Sequence, residues 1–412
     1  MFAASFNLNL QRCLGLAALL ASSTLASALP QDLYEPNDSC AATPLLPPGL
    51  TTGLTIGPDE DYFLFAVPNN ADLYIDVRDG QGTSIDCSLY EVGCGTLLAD
   101  GTGAPLSYFD CGGAARDLVL YIPDNGQNNV DYSIDLSVVE VVDDNLEDND
   151  TCNSGALVAI QSFTTPNLVV TGCDEDYYVA RLQAPGVQIQ VDLLFAHAQG
   201  DVDLEFWDLG CTTLLGSSTT MDDNESLMYT NNTAGPMAIV IRTFMKNGTG
   251  WADYALTACF ASTNGSPPNN LPLIGAQVCA GLTNSTGRPA TLCARGSDVA
   301  ANNSVYFYTV DLPTGSAGYF ITSPTFSFTP TPGNTMGNLC LGSPGRYSYN
   351  VLFTQNGSAV FYQPDLVNTP VAGGTFGVIT AGTRQFWQYW YRDSINGMST
   401  SNFSSALCID FL

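Results

Sequence analysis

The chain of 412 residues carries 40 acidic residues, 11 Lys and Arg and one histidine, which gives a formal net charge of -29. A surface of this sign repels phosphate groups, so nucleic acid and anionic membranes are excluded as favoured partners. The charge is unevenly divided: residues 29–261 hold 35 acids and 5 bases, whereas residues 262–412 hold 5 of each. This change in charge along the chain predicts acidic domains followed by a neutral one.

The N-terminus predicts an export signal. Arg12 precedes the apolar run 13–21, and Ala26-Ser-Ala28 supplies the small residues of a cleavage site. The apolar run is too short to span a bilayer, and no later segment has eighteen uninterrupted apolar residues. We therefore expect residues 1–28 to be a signal peptide and the mature protein to be secreted, extracellular or held at the cell surface, without a membrane span.

Two copies of one module are predicted in residues 29–142 and 143–260. Asp32-Leu-Tyr-Glu-Pro-Asn-Asp-Ser-Cys40 recurs as Asn145-Leu-Glu-Asp-Asn-Asp-Thr-Cys152, and the later Asp-Glu-Asp-Tyr motifs recur as well. Short runs of period-two alternation, such as Asp61–Val67 and Asp176–Ala180, are separated by Gly, Asn, Asp and Pro turns, which is typical of antiparallel strands. Each copy therefore predicts a small β-sandwich.

A third module is predicted in residues 271–412, after a linker at 261–270 that is rich in Ser, Asn and Pro. Its composition shifts to Gly, Thr, Ser, Asn and aromatics, and its candidate strands include Ser304–Val310 and Arg384–Tyr391. The fold class expected from the whole sequence is all-β: three consecutive small antiparallel β-sandwich domains, of which the first two are a tandem repeat.

Twelve cysteines follow the predicted signal peptide, four in each module, and in an exported chain an even number implies disulfides. If equivalent cysteines of the repeat keep equivalent partners, Cys40–Cys94 and Cys152–Cys211 are the shared bridges. Two further bridges would then be private to one copy each, Cys87–Cys111 and Cys173–Cys259. The pairing of the remaining four stays open: Cys279, Cys293, Cys340 and Cys408.

The motif pair Glu35-Pro-Asn-Asp38 and Asp59-Glu-Asp-Tyr-Phe63 resembles the bacterial pre-peptidase C-terminal domain. That family is a β-sandwich found beside secreted peptidases and is related to the collagen-binding domains of clostridial collagenases. Module two carries the same pair as Glu147-Asp-Asn-Asp150 and Asp174-Glu-Asp-Tyr-Tyr178, with Asp148 in place of Pro. The resemblance covers both copies of the repeat.

The resemblance implies a calcium site in each copy, because some members bind calcium through these motifs. The implied ligands are Glu35, Asn37, Asp38, Asp59 and Asp61 in module one, and Glu147, Asn149, Asp150, Asp174 and Asp176 in module two. A further acid of the family is missing, where Leu33 and Asn145 stand. The alternative interpretation is that these acids only cap and solvate turns.

The third module resembles a C-terminal domain that is common in exported proteins of planctomycete bacteria and has no assigned function. The resemblance rests on three motifs: Gly337-Asn-Leu-Cys-Leu-Gly-Ser-Pro-Gly-Arg-Tyr347, Phe386-Trp-Gln-Tyr-Trp-Tyr-Arg-Asp393 and Thr400-Ser-Asn-Phe403. It implies export and a bacterial source rather than a chemistry.

Two residue groups invite a sharper interpretation. His197 is the single histidine, and no nucleophile-elbow or metalloprotease motif accompanies it, so a solvated or core-edge role is favoured. An aromatic stripe in the third module could stack sugars, but alternate residues of a strand face opposite sides, so core packing is favoured; it comprises Phe386, Trp387, Tyr389, Trp390 and Tyr391.

The sequence therefore predicts an exported, non-catalytic binding or adhesion protein with disulfide-stapled and calcium-stabilised modules. Its partner would be an extracellular protein or a polysaccharide. Two alternatives stay open: a passive component of the cell surface or matrix, and a secreted hydrolase that uses paired carboxylates.

Overall fold

Short strands of alternating burial build almost all of the described chain. The structure, a computed structural model, describes residues 32–57, 59–124, 130–157, 161–261, 271–333, 335–354, 359–395 and 397–412. These residues are all-β apart from one turn of 3₁₀ helix at Ala300–Asn302, so the predicted fold class is confirmed. The predicted signal peptide and positions 262–270 of the predicted linker lie outside the described residues.

Module one packs two four-stranded antiparallel sheets face to face, with strand orders β1-β8-β3-β6 and β2-β7-β4-β5. Strand β2 shows the reason: its alternate residues Phe63, Phe65 and Val67 are buried in the core between the sheets. The strands are β1 Gly49–Ile56, β2 Asp61–Val67, β3 Ala71–Asp79, β4 Ser88–Glu91, β5 Leu97–Asp100, β6 Leu106–Asp110, β7 Arg116–Ile122 and β8 Val130–Glu140.

Module two repeats this topology strand for strand. Its sheets have the orders β10-β17-β12-β15 and β14-β13-β16-β11-β9, in which the short parallel strand β9 corresponds to a single parallel bridge, Leu45–Leu64, in module one. The strands are β9 Ala156–Leu157, β10 Phe163–Thr171, β11 Asp176–Leu182, β12 Gln188–Leu194, β13 Val202–Asp208, β14 Leu214–Ser218, β15 Glu225–Thr230, β16 Met237–Met245 and β17 Trp251–Ala261. The predicted tandem repeat is thus a repeat of structure.

Module three has a different topology, with a four-stranded sheet β18-β20-β21-β27 against a larger sheet ordered β19-β32-β30-β22-β25, to which β26 and β31 add. Two ribbons, β23-β24 and β28-β29, complete it. The strands are β18 Leu273–Ile274, β19 Ala276–Cys279, β20 Thr291–Gly296, β21 Val305–Val310, β22 Ala317–Ser323, β23 Phe326–Thr329, β24 Leu339–Leu341, β25 Gly345–Arg346, β26 Leu352–Phe353, β27 Val360–Tyr362, β28 Thr369–Pro370, β29 Phe376–Gly377, β30 Arg384–Ile395, β31 Met398–Phe403 and β32 Ala406–Asp410.

The aromatic stripe of β30 is mainly core. Trp387, Tyr389 and Tyr391 are fully buried between the two sheets, where Trp387 contacts Phe307 and Phe411. On the opposite face Phe386 is 7% exposed, and Trp390 packs against the Tyr319 ring and the Arg392 guanidinium. Because neighbouring groups occupy the Trp390 ring, the favoured interpretation as packing accounts for the stripe.

Disulfides join the modules as well as stapling them. Among the described residues five bridges form, and both predicted shared pairs, Cys40–Cys94 and Cys152–Cys211, are present. The predicted private pairs are wrong: the structure joins Cys111 to Cys173 and Cys259 to Cys293, and each of these bridges crosses from one module to the next. In module three Cys279 pairs with Cys340.

Cys87 and Cys408 carry free thiols, contrary to the prediction that both form disulfides. Cys87 is only 1% exposed and belongs to the core of module one, whereas Cys111 lies on the surface just after β6. A core cysteine cannot reach a surface cysteine without a rearrangement of the strands, which explains why the private pair fails. Within the described residues, no helix is long and apolar enough to cross a membrane.

Modules two and three pack sheet against sheet. Residues 254–261 of β17 are all buried, although alternate residues face away from the core of module two. The outward face of β17 and the neighbouring strand β10 meet β20 and β21. The hydroxyls of Thr164 in β10 and Thr291 in β20 lie 2.8 Å apart, and Tyr308 Oη and Arg295 Nη2 both donate to the Phe260 carbonyl of β17, at 2.9 and 2.7 Å. With the Cys259–Cys293 bridge, these contacts fix the two modules as one body.

Candidate metal centres

The two acidic motifs of module one meet at one end of its sandwich. Glu35 and Asp38 lie in the segment before β1, and Asp59 lies in the turn between β1 and β2. One carboxylate oxygen from each lies within 4.8 Å of the others, which is close enough for all three to ligate one ion. We call this group head one. Three of the five residues that the family resemblance implied are therefore brought together.

Asn37 and Asp61 lie behind head one and hold it in place. Both side chains are fully buried. Tyr132 Oη donates to Asp61 Oδ2 at 2.6 Å, and the Asn37 amide, oriented to satisfy both acids, donates to Glu35 Oε2 at 3.0 Å and to Asp61 Oδ1 at 3.2 Å. These two residues, implied as ligands, occupy a supporting position because their polar atoms are already engaged inside the fold.

Module two builds the same arrangement, except that Asp143 is the third acid where head one has Asp38. Asp143, Glu147 and Asp174 form the cluster that we call head two, again with one oxygen of each within 4.8 Å of the others. Behind it, Tyr254 Oη donates to Asp176 Oδ2 at 2.5 Å, and the Asn149 amide donates to Glu147 and Asp176. The peptide bonds Glu35–Pro36 and Glu147–Asp148 are both cis.

Asp143 is the ligand candidate that sequence reasoning missed. The signal was an acidic pair, Asp143-Asp144, directly ahead of the motif. Asp144 has its own role: its Oδ1 accepts from Leu146 N at 2.8 Å and its Oδ2 from Val169 N at 3.0 Å, which pins the head segment to β10. Asp32 does the same in module one, where it accepts from Tyr34 N and Thr55 N. Asp38 of head one is exposed, and Asp150, its counterpart in the repeat, is exposed and lies outside the cluster of head two.

Burial raises the pKa of most head carboxyls. In head one, burial and the neighbouring Asp38 raise the pKa of Glu35 to about 7. In head two, burial and the charges of Asp143 and Asp174 raise the pKa of Glu147 to about 8, and burial with Asp143 and Asp150 raises the pKa of Asp174 to about 7. Mutual repulsion of this kind is relieved by a cation.

The donor set of the heads fits a hard divalent cation. All the candidate ligands are carboxylate oxygens, the type that Ca²⁺ and Mg²⁺ prefer. In head two, Asp143 Oδ1 and Asp174 Oδ1 are buried yet have no hydrogen-bond partner among the described residues. Buried acceptors normally have a partner, and an ion between the carboxylates would provide one. The acidic clusters can therefore hold a metal ion.

The supporting tyrosine allows a direct test. Burial raises the pKa of Asp61 to about 7, and the Tyr132 hydroxyl opposes that rise. A raised pKa means that the stability contributed by the protonated acid is lost as pH rises through about 7. We therefore expect Tyr132→Phe to lower the free energy of unfolding by about 1–3 kcal/mol above that pH and by less at acidic pH.

Urea denaturation at pH about 5 and about 8 measures this difference as the free energy of the unfolding transition of module one. Tyr121→Phe is the matched control, because Tyr121 Oη donates at 3.0 Å to the half-buried carboxylate of Glu60, which precedes Asp61 in the chain but takes no part in the buried network behind head one. An equal loss for Tyr132→Phe at both pH values would show that the hydroxyl matters only for packing.

His197 takes no part in either head. Its Nδ1 lies 3.5 Å from Asp201 Oδ1, in the connection between β12 and β13. This places the single histidine, itself half-buried, beside a half-buried acid, in agreement with a core-edge role.

Comparisons with known proteins add little to this geometry. No protein-family model matches the chain, and no curated protein matches it. A GH2 β-galacturonidase from Eisenbergiella tayi, solved with galacturonate, aligns with a TM-score of 0.17 and 7% identity over 56% of this chain and 35% of the enzyme. A triple jelly-roll protein of an archaeal virus aligns with a TM-score of 0.18 and 11% identity over 90% of this chain and 84% of its own. A protein of Sulfolobus turreted icosahedral virus gives 0.17 and 9%, over 90% and 85%. Scores of this size carry no argument about function.

Proposed function

We propose that this is an exported, non-catalytic binding protein whose first two modules are stabilised by calcium. The observation that carries the proposal is the repetition of the head: two copies of one sandwich each gather three carboxylates at the same place and support them with the same Asn, Asp and Tyr. The proposal includes membership of the pre-peptidase C-terminal family for modules one and two and of the planctomycete-type family for module three.

Calcium in head two would connect the modules. Asp143 and Glu147 belong to the segment that leaves β8 of module one, and Asp174 follows Cys173, which is bonded to Cys111 of module one. An ion held by these three acids would therefore tie the connecting segment to the turn that the disulfide anchors. In head one, Glu35, Asp38 and Asp59 would hold the second ion. The ion supplies charge neutralisation and fixes the approach of each head segment to its sandwich.

The disulfides support an extracellular location. Five bridges among the described residues are typical of chains that fold in an oxidising compartment, since cytosolic thiols are kept reduced. A partner in that setting would be another extracellular protein or a polysaccharide. The rigid joining of the modules suits such a role, because a preorganised surface loses less entropy when it binds.

The arrangement of acids favours binding over hydrolysis. A carboxylate-dependent hydrolase needs one acid with a raised pKa beside a second, free carboxylate in a cleft. In the cleft between modules two and three, the acids Asp192 and Glu225 are buried and accept hydrogen bonds from Gln190, Ser218 and Thr220. The oxygens of these two buried acids are engaged in structure, whereas the other lining acids, Asp223, Asp298 and Asp410, lie at the rim; the lack, among the described lining residues, of a second, free carboxylate beside either buried acid supports the non-catalytic interpretation.

Calorimetric titration of the mature chain with calcium tests the proposal. We expect two ions to bind and the melting temperature to rise, since saturation at a hundred times Kd adds about 2.7 kcal/mol to stability. Glu147→Gln should lose one ion and Glu35→Gln the other. Glu140→Gln is the control, because Glu140 is an exposed acid at the end of β8 outside both heads.

The same samples decide between a binder and a passive coat. Saturable binding to one member of a panel of matrix proteins and polysaccharides supports the binder. If calcium produces neither heat nor a melting shift, the heads are solvated turns and the calcium proposal fails. If no panel member binds saturably, the passive surface component becomes the better account.

A further inference from the structure

A cleft of about 570 Å³ lies where module three meets module two. One wall comes from the start of β15 and the turn before it, and the other from β18, β19, β32 and the first residues of β30. The Cys259–Cys293 bridge and the sheet packing hold these walls at a fixed separation. The cleft is therefore preformed and has the size and position of an ordinary ligand site.

The cleft is acidic at its rim and apolar inside. Asp223, Asp298 and Asp410 line it, and Arg384, the one basic residue among the described residues of its lining, forms hydrogen bonds of 2.6 and 2.8 Å with Asp410. The buried acids Asp192 and Glu225 add negative potential from below. Apolar contact surface is supplied by Met228, which is 42% exposed, with Ile274 and Phe386. This combination suits a cationic group on an aliphatic stem.

The edge of β15 favours a peptide over a free amine. Strand β15 stands at the outer position of its sheet and lines the cleft, so its outer edge can pair with an added strand. Strand β19 on the opposite wall is already engaged, because the Gln277 backbone forms a hydrogen bond with the buried carboxylate of Asp192. The Gln277 side chain is 2% exposed and its Nε2 donates to the Leu292 carbonyl at 2.6 Å, so it belongs to the contact between the modules.

We propose that this cleft binds an extended basic segment of a partner protein, with a lysine or arginine side chain at Asp223 and Asp298 and apolar neighbours against Met228 and Phe386. This inference rests on the proposed binding function and names the surface and the chemistry of the partner. The negative field of modules one and two would also speed the approach of a basic partner.

Titration of the calcium-saturated mature chain with acetylated, amidated Gly-Leu-Lys-Leu-Lys-Gly tests it. We expect saturable one-to-one binding that Asp298→Lys weakens at least tenfold and Met228→Ser weakens severalfold. The control is Asp135→Lys, which makes the same charge change at an exposed position on module one and should alter affinity less than twofold. The same peptide with Glu in place of Lys should not bind.

Three results would overturn the inference. If Asp135→Lys weakens peptide binding as much as Asp298→Lys does, the effect comes from net charge alone. If spermidine binds as tightly as the peptide, the ligand is a free polyamine. Absence of peptide binding, while calcium and a panel partner still bind, would reject the cleft as a peptide-binding site but would not contradict the proposed function. Conversely, if the peptide binds but neither calcium nor any panel member does, the cleft is a peptide-binding site and the proposal of a calcium-stabilised binding protein is rejected.

Discussion

We expect the double variant Cys111→Ser/Cys173→Ser to release module one from its fixed orientation on module two. The bridge spans 62 residues, and its loss should lower the free energy of unfolding by about 4 kcal/mol through the entropy of the unfolded chain. Among the described residues, the side-chain hydrogen bond across this junction is the half-buried one from Trp251 Nε1 to Asp72 Oδ2, at 3.3 Å, which is weak support for the orientation. Small-angle scattering should show a larger radius of gyration.

The matched control is Cys259→Ser/Cys293→Ser, which removes the bridge between modules two and three. This bridge spans 34 residues, so a similar loss of about 4 kcal/mol is expected. The orientation should nevertheless persist, because the Tyr308, Arg295 and Thr164 contacts remain. If the radius of gyration of Cys111→Ser/Cys173→Ser is unchanged in the absence of calcium, noncovalent contacts are sufficient to hold module one in its orientation on module two.

Calcium affinity should depend strongly on pH, and more so in head two. Glu147 and Asp174, with pKa values of about 8 and about 7, must both release protons when the ion binds, whereas in head one Glu35 has a pKa of about 7. Between pH 8 and pH 6 we expect affinity to fall about a hundredfold in head two and about fivefold in head one, after allowance for solvent screening.

Single-site variants separate the two heads in this experiment. Glu35→Gln leaves head two to be titrated alone, and Glu147→Gln leaves head one. Calorimetry in buffers of different ionisation enthalpy should show protons released at neutral pH, with more released from head two. Raised pKa values also mean that the calcium-free protein loses stability as pH rises through about 7 to 8, so the gain on adding calcium should grow with pH. An affinity independent of pH would contradict this account.

The sequence by itself determined the local architecture. Alternation in segments such as Asp61–Val67 fixes which side chains face the core, because successive residues of a strand point to opposite sides. The repeat fixed the shared bridges Cys40–Cys94 and Cys152–Cys211, since equivalent strands hold equivalent cysteines. The motif spacing likewise brought Glu35, Asp38 and Asp59 together, because both motifs flank β1.

Within each head, sequence reasoning could not divide ligands from supports. Asp59 and Asp61 are two residues apart and chemically alike, yet Asp61 is the first residue of β2 and points into the buried network with Tyr132. Which acid meets solvent depends on the face that the strand presents to its sandwich. Asp143 was missed for a related reason, because its approach to Asp174 depends on the path of the segment between modules.

Only the tertiary structure decided how the modules meet. The outward residues of β17, among them Ala255, Thr257 and Cys259, are small and uncharged, whereas β8 places Asp135 at the equivalent outward position. That contrast indicates that this face of module two is buried, but it does not identify the element that packs on it. The partner of Cys259 is Cys293 because β20 of module three lies on that face, and contacts between sheets distant in sequence have no local signature.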